Sequence, residues 1–259
     1  MKVTDGGAIL ARAIDSVHVN RCWRDRRGWR DVWIKRRRPG ADPIVLAGNV
    51  FLALSNSRIR MFPSARRWVR WELSSFQLVN GDRFASSVLD ERAIWLETIP
   101  GQSLREICTS RLGNEGLPAV VAAAREFARA HALTCPLRRA PWSHGDPHLA
   151  NVLYDAANDR ARLIDFETAH EPRMVADERH ADDLLTLSLE LMAKSRGAAP
   201  AAEFLRSYQC ARGDKAVIER VVRRLWLPTG LELVLWQTRT DHASRESIET
   251  WLRELRGLL

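Results

Sequence analysis

The sequence predicts a two-lobed α+β fold. A small antiparallel, strand-containing N-terminal lobe with a helix takes residues 1–99, and a larger, mainly helical C-terminal lobe takes residues 100–259. Three observations predict it. Short strand-like apolar runs lie before residue 100 and in one later hairpin, while elsewhere the apolar spacing is helical. Pro100-Gly101 interrupts the chain where the pattern changes. Charge divides near the same place: residues 1–80 carry 16 basic and 6 acidic side chains, a net of +10, whereas residues 81–259 carry 24 and 26, a net of −2.

Composition bounds the function classes. With 46% hydrophobic and 28% charged residues, the 259-residue chain can bury a sizeable core, which excludes a disordered protein. The four cysteines, Cys22, Cys108, Cys135 and Cys210, form no CxxC pair. That excludes a disulfide framework or a zinc ribbon and fits a reducing cytosol. No apolar leader opens the sequence, and Ile44 to Leu54, broken by Gly48 and Asn49, is far shorter than the ~20 residues of a membrane span. A cytoplasmic protein is expected. The basic excess implies a partner with phosphate or carboxylate groups, or else a solvated Arg-rich face.

In chain order, short strands are expected around Ile14–Val19 and Asp31–Lys35, separated by the charged turn Arg24–Gly28. Residues 43–55 read as a helix or a buried loop. Ser64 is the expected N-cap of a helix to Val79, stopped by Asn80-Gly81. Phe84–Leu89 and Ala93–Thr98 read as a hairpin turning at Asp90-Glu91. Pro118 suits the first position of a helix to Leu133. A loop over Pro141–Asn151, dense in His, Asp, Pro and Gly, precedes a second hairpin, Val152–Tyr154 with Ala161–Ile164. From about Asp182 the pattern is helical, with breaks at Gly197/Pro200, Gly213, Pro228–Gly230 and Asp241.

The chemistry concentrates in Ser143-His144-Gly145-Asp146-Pro147-His148-Leu149-Ala150-Asn151 and Leu163-Ile164-Asp165-Phe166-Glu167. A hairpin returning over ~14 residues can bring Asp165 back beside Asn151. Two carboxylates and a carboxamide then share one end of a small sheet. Oxygen ligands of this kind suit Mg²⁺ completed by substrate phosphates. An Asp outside the metal shell could take a proton from a hydroxyl. The plainer reading is a loop whose Asp and Asn residues cap turns.

These two segments resemble the catalytic loop and metal-binding strand of the protein-kinase-like phosphotransferases. The closest pattern is that of the bacterial lipopolysaccharide kinases and the aminoglycoside and choline phosphotransferases, His-Gly-Asp-x-His-x-x-Asn followed by Ile-Asp-Phe/Trp-Glu. The resemblance covers roughly residues 30–190 and implies a bilobal protein-kinase-like fold using ATP and Mg²⁺. It makes Asp146 the catalytic base, gives Asn151 and Asp165 the metal, and has His144 brace the loop. His148 matches a His of the aminoglycoside and choline branch.

The N-terminal half supplies further parts. Lys35, one of only four lysines, ends Asp31-Val-Trp-Ile-Lys35 and resembles the family's phosphate-holding lysine. Glu72, the only acid between Asp42 and Asp82, is its expected partner; the other reading pairs it at the surface with Arg66 or Arg67. Glu97 to Leu104 resembles the hinge, with adenine expected near Glu97 and Ile99. Asp183 or Asp182 would bond the catalytic loop, or cap a helix. The chain departs from the family in lacking a Gly-rich GxGxxG loop, for which Asp5-Gly6-Gly7 is a poor stand-in. Glu167 replaces a Gly, and about fifteen residues after Asp165 leave no room for a long activation loop.

Arg36–Arg38, Ile44–Leu54, Arg58, Arg60, Arg66, Arg67, Trp68, Arg70 and Trp71 form one basic, tryptophan-bearing neighbourhood. That composition suits an anionic membrane interface on the cytoplasmic face of the inner membrane. The alternative is a core helix with a solvated Arg face. No motif accompanies the charge that would mark nucleic-acid binding. The expected function is transfer of the ATP γ-phosphate to a hydroxyl, the favoured acceptor being a lipopolysaccharide-core sugar or similar glycolipid. The alternatives are a soluble small-molecule kinase of aminoglycoside, choline or sugar type, and a nucleotide-binding pseudokinase scaffold.

Overall fold

A computed structural model describes residues 19–111 and 116–259. The expected runs at Asp5–Gly7 and Ile14–Val19 lie at or beyond the edge of the described residues. Strand β1 (Asn20–Arg27) and β2 (Arg30–Arg37) form a hairpin closed at Gly28-Trp29. β1 thus runs through the charged segment expected to turn. Its side chains after Asn20 are solvent-exposed, so an edge strand can carry them at no desolvation cost. Helix α1 (Ala41–Leu54) resolves the ambiguity at 43–55 in favour of a helix. Then follow β3 (Ile59–Met61) and helix α2 (Ala65–Asn80), bounded by Ser64 and Gly81 as the sequence predicts. β4 (Ser86–Asp90) and β5 (Ala93–Glu97) complete an antiparallel sheet in the order β1-β2-β5-β4.

The rest is mainly helical. After β6 (Gln102–Ser103) come α3 (Leu104–Arg111) and α4 (Leu117–His131), with Pro118 in its first turn. The small pair β7 (Thr134–Cys135) and β8 (Ala140–Pro141) leads into the loop. β9 (Val152–Asp155) and β10 (Arg160–Leu163) form the second hairpin, with β6 on its edge. β11 (Thr168–His170) pairs with β3, tying the two halves of the chain together. Five helices follow: α5 (Ala176–Ser195), α6 (Ala199–Arg212), α7 (Lys215–Arg223), α8 (Gly230–Arg239) and α9 (Arg245–Leu258). The sequence placed the start of α5 near Asp182. It begins at Ala176, with only ten residues between it and Asp165, because acidic Asp177 and Glu178 suit a helix N-terminus better than the sequence pattern revealed.

One continuous core joins the sheet-side helix α2 to α4, α5 and α6. Trp68 and Trp71 belong to it, 0% and 4% exposed. Arg37 is buried too, its guanidinium 5.0 Å from the Trp68 ring centroid. This corrects the tryptophan-bearing interface expected from the sequence: indole area is worth more in the core than at a surface. α1 does expose Leu46, Val50 and Leu54. Among the described residues no helix is long and apolar enough to cross a membrane.

Two hydrogen bonds from α2 position the site. Trp71 Nε1 donates to the Thr168 carbonyl at 2.8 Å, and Asn80 Nδ2 to the Leu163 carbonyl at 2.8 Å. They bracket Glu72 on the helix and Asp165 in the short connection between β10 and β11, so the two acids are fixed relative to each other.

Candidate active site

Lys35 lies on β2, one residue from the buried Ile34, so strand alternation turns it to the opposite face of the sheet. Its ammonium donates to Glu72 Oε1 at 2.8 Å and to Asp165 Oδ1, with Glu167 Oε1 at 3.5 Å. Glu72 is fully buried, which rules out the surface pairing with Arg66 or Arg67; Arg66 instead meets Glu91. Burial alone would lower the Lys35 pKa, but Asp165 and Glu72 outweigh it and hold it well above the ordinary lysine value. Burial raises Glu72 against the pull of Lys35. Burial would also raise Asp165, yet Lys35 keeps it below the usual carboxylate range. Burial and the neighbouring Asp165 push Glu167 up to about 7.

The loop from Ser143 to Asn151 is held from below by α5. Asp183 is fully buried and accepts from the His144 N–H at 2.8 Å and the Gly145 N–H at 2.9 Å. Its Oδ2 also lies 3.1 Å from His131 Nε2. Neither Asp182 nor Asp183 caps a helix; both lie in its second turn, where Asp182 pairs with Arg224 at 2.6 Å. Glu190, two turns after Asp183 on the same face, accepts from the Leu149 N–H at 2.7 Å and contacts His148 Nδ1. Two carboxylates thus grip the two ends of one loop. His144 Nε2 donates to the Ile164 carbonyl at 3.0 Å, joining the loop to the residue before Asp165. Burial lowers the His144 pKa, so the ring is neutral. The Asn151 carbonyl accepts from the Ile164 N–H at 2.9 Å, so loop and strand run side by side. Gly145 has φ +92°, and a Cβ there would lie 3.0 Å from Thr168 Oγ1 and 3.1 Å from Ala169 Cα.

Asp146 is about a quarter exposed and does not stand alone. The guanidinium of Arg239, in the last turn of α8, donates to its Oδ1 and abuts the His148 ring. Burial would raise Asp146, but Arg239 and His148 outweigh it and hold the carboxyl well below the ordinary range. Burial and Arg239 pull His148 down, while Asp146 and Glu190 overcome both and lift it to about 9. Sequence reasoning missed two of these residues. Glu190 carries a faint signal, the seven-residue spacing from Asp183. Arg239 carries none, being one arginine among many in helices without a motif.

The hinge residues are placed as structural parts. Glu97 accepts from the Ala85 N–H at 2.8 Å and faces Arg30 at 3.6 Å, and Ile99 is 7% exposed within the core. The Glu97 side chain is therefore engaged inside the sheet. A metal site is consistent with the donors present. Among the described residues no cluster of three or more His, Cys, Asp or Glu side chains is arranged to hold a metal. Asp165 and Asn151 offer one carboxylate and one carboxamide, both hard oxygen donors, as a magnesium ion sharing substrate phosphates requires. The three carboxylates about Lys35 also carry more negative charge than one ammonium balances.

No protein-family model and no curated protein matches the chain. Among the solved structures to which it is similar are the following three. The streptomycin–ATP–APH(2'')-IIa ternary complex is 12% identical over 96% of this chain and 99% of that one, with a TM-score of 0.43. The ADP-bound aminoglycoside phosphotransferase APH(2'')-Ib is 13% identical over 98% and 99%, with a TM-score of 0.40. The Rv3197–erythromycin complex from Mycobacterium tuberculosis is 16% identical over 94% and 74%, with a TM-score of 0.41.

Proposed function

We propose that the protein is an ATP-dependent phosphotransferase acting on a hydroxyl of a soluble small molecule. The observation that carries this reading is the convergence, from three distant parts of the chain, of Lys35 and Glu72 on Asp165, in the segment between β10 and β11, beside the loop holding Asp146 and Asn151. Phosphoryl transfer asks for positioning and charge neutralisation, and these are the parts supplied. Lys35, held by Glu72, would bind the nucleotide phosphates. The acceptor oxygen attacks the γ-phosphorus, the bond to the β-bridging oxygen breaks, and ADP leaves with its electron pair. The acceptor proton passes to Asp146, which its neighbours keep ionised and ready to receive it. Asn151 and Asp165 would hold magnesium, which when bound supplies charge neutralisation on the phosphates.

A soluble acceptor is favoured over a lipopolysaccharide sugar because the tryptophans that suggested a membrane interface lie in the core. The division into a nucleotide lobe before residue 100 and a catalytic lobe after it belongs to the same proposal. The test is Asp146→Asn with ATP, magnesium and a panel of hydroxyl acceptors. Transfer should be lost while the nucleotide still raises the melting temperature. Transfer retained by this variant would overturn the role.

A further inference from the structure

Arg239 is the unexplained feature of the site. Only 11% of its side chain is exposed, and it occupies the carboxylate that must take the acceptor's proton. Around the loop, Arg239, His148 and Arg105 face two acids, Asp146 and Glu190, giving a surplus of one positive charge. Two of those cations, Arg239 and His148, touch each other. A small cleft lined by Arg239 also takes in Asn56, Asp182, Arg224 and Glu232. Those last four residues also line a cavity of ≈ 450 Å³, whose walls carry Arg58, Arg220, Arg223 and Arg224 against Glu178, Asp182 and Glu232. Arg58, Arg220, Arg223 and Arg224 are each paired with a carboxylate, whereas Arg239 meets both the Asp146 carboxylate and the His148 ring.

An anion seated at Arg239 would relieve the contact between the Arg239 and His148 cations, which a polycationic acceptor cannot do. The guanidinium presents parallel N–H donors matched to a phosphate or carboxylate. We propose that Arg239 selects the acceptor: the molecule phosphorylated here is a hydroxyl compound that also carries a phosphate or carboxylate, and Arg239 takes that anionic group as the hydroxyl replaces it on Asp146. The proposal rests on the phosphotransferase reading for the hydroxyl, but the anion site can be tested without turnover.

The full chain, its nucleotide site saturated with a non-hydrolysable ATP analogue, is titrated with glycerol phosphate, glycerol and kanamycin. Glycerol phosphate should bind at least about tenfold more tightly than glycerol, the equivalent of ~1.4 kcal/mol, and kanamycin should bind no better than glycerol. Arg239→Gln should erase the preference, and Arg239→Lys should keep part of it, with melting temperatures close to that of the natural chain. With turnover, Arg239→Gln should raise KM for anionic acceptors by a much larger factor than for neutral ones, a split that a general packing defect would not produce. Phosphatidylglycerol vesicles form a parallel arm. Arg239-dependent binding to vesicles alone assigns the anion to a lipid headgroup; binding to the free phosphate assigns it to a soluble compound. Equal binding of all three probes, preference for kanamycin, or an undiminished preference in Arg239→Gln would overturn the proposal. Failure of the kinase reading looks different: the Arg239-dependent preference survives but no acceptor is phosphorylated.

Discussion

Replacing Asp183 with alanine should loosen the catalytic loop at a measurable cost in stability. The carboxylate is 0% exposed and accepts the His144 and Gly145 N–H groups at 2.8 and 2.9 Å. Alanine leaves both donors buried without an acceptor, at ~1–3 kcal/mol each, or about 2–6 kcal/mol together. Removing the buried charge itself recovers part of its desolvation cost, so the lower half of that range is expected. At ~2–4 °C per kcal/mol for a chain of this size, the melting temperature should fall by roughly 4–16 °C. Asp183→Asn should behave almost as badly. Asn has one acceptor oxygen for two N–H donors, and its own NH₂ would face the second. The pH dependence has a definite sign. Burial raises the Asp183 carboxyl, but His170 and His131 outweigh it and hold it below its ordinary value. Its stabilisation is therefore present above the unfolded carboxylate pKa and is lost as pH falls through the lower folded value. The gap between variant and natural protein should be full at pH ~5–7 and close only in stronger acid. The assay is thermal unfolding followed by phosphate transfer with ATP. A fall of less than about 3 °C with unimpaired transfer would refute the claim that Asp183 holds the loop.

Gly145→Ala should cut transfer at least ~30-fold and lower stability by ~1–3 kcal/mol, because φ +92° and contacts of 3.0–3.2 Å to Thr168 and Ala169 leave no room for a Cβ; a fully active variant would show that β11 can yield. Lys35→Arg should lower nucleotide affinity by more than about tenfold, since a fork of donors cannot replace a point charge among Glu72, Asp165 and Glu167, and titration with ATP checks it. Glu167, raised to about 7, binds a proton more tightly folded than unfolded. Its contribution to stability is therefore lost as pH rises from the ordinary carboxylate range through about 7, and Glu167→Gln should flatten the decline in melting temperature over that window. An unchanged pH profile would show that Glu167 does not titrate there.

Local signals carried much of the fold and the central part of the site. The helix bounds at Ser64 and Gly81, Pro118 and both hairpins were legible because turn and helix-end preferences act over a few neighbouring residues, although the Ser64 side chain makes no capping hydrogen bond. Asp146, Asn151 and Asp165 were legible because loop and hairpin bring them together within twenty residues. Errors came where solvent or packing overrode pattern. The charged segment Arg24–Arg27 is strand because an edge exposes it to water, and Trp68 and Trp71 are core although arginines surround them in sequence.

By itself, the sequence determined the division into a sheet-bearing basic half and a helical half, the loop that carries the acids, and Glu72 as the expected partner of Lys35. Only the tertiary structure decided what controls those groups. Glu190 reaches Leu149 and His148 across some forty residues, and Arg239 reaches Asp146 across ninety-three. A contact over such a separation leaves no mark on local pattern, because it is set by how α5 and α8 pack rather than by any neighbour along the chain. The basic surplus divides the same way: its location is written in the sequence, but the arginine that pairs with Asp146 lies in the nearly neutral half, where composition shows nothing.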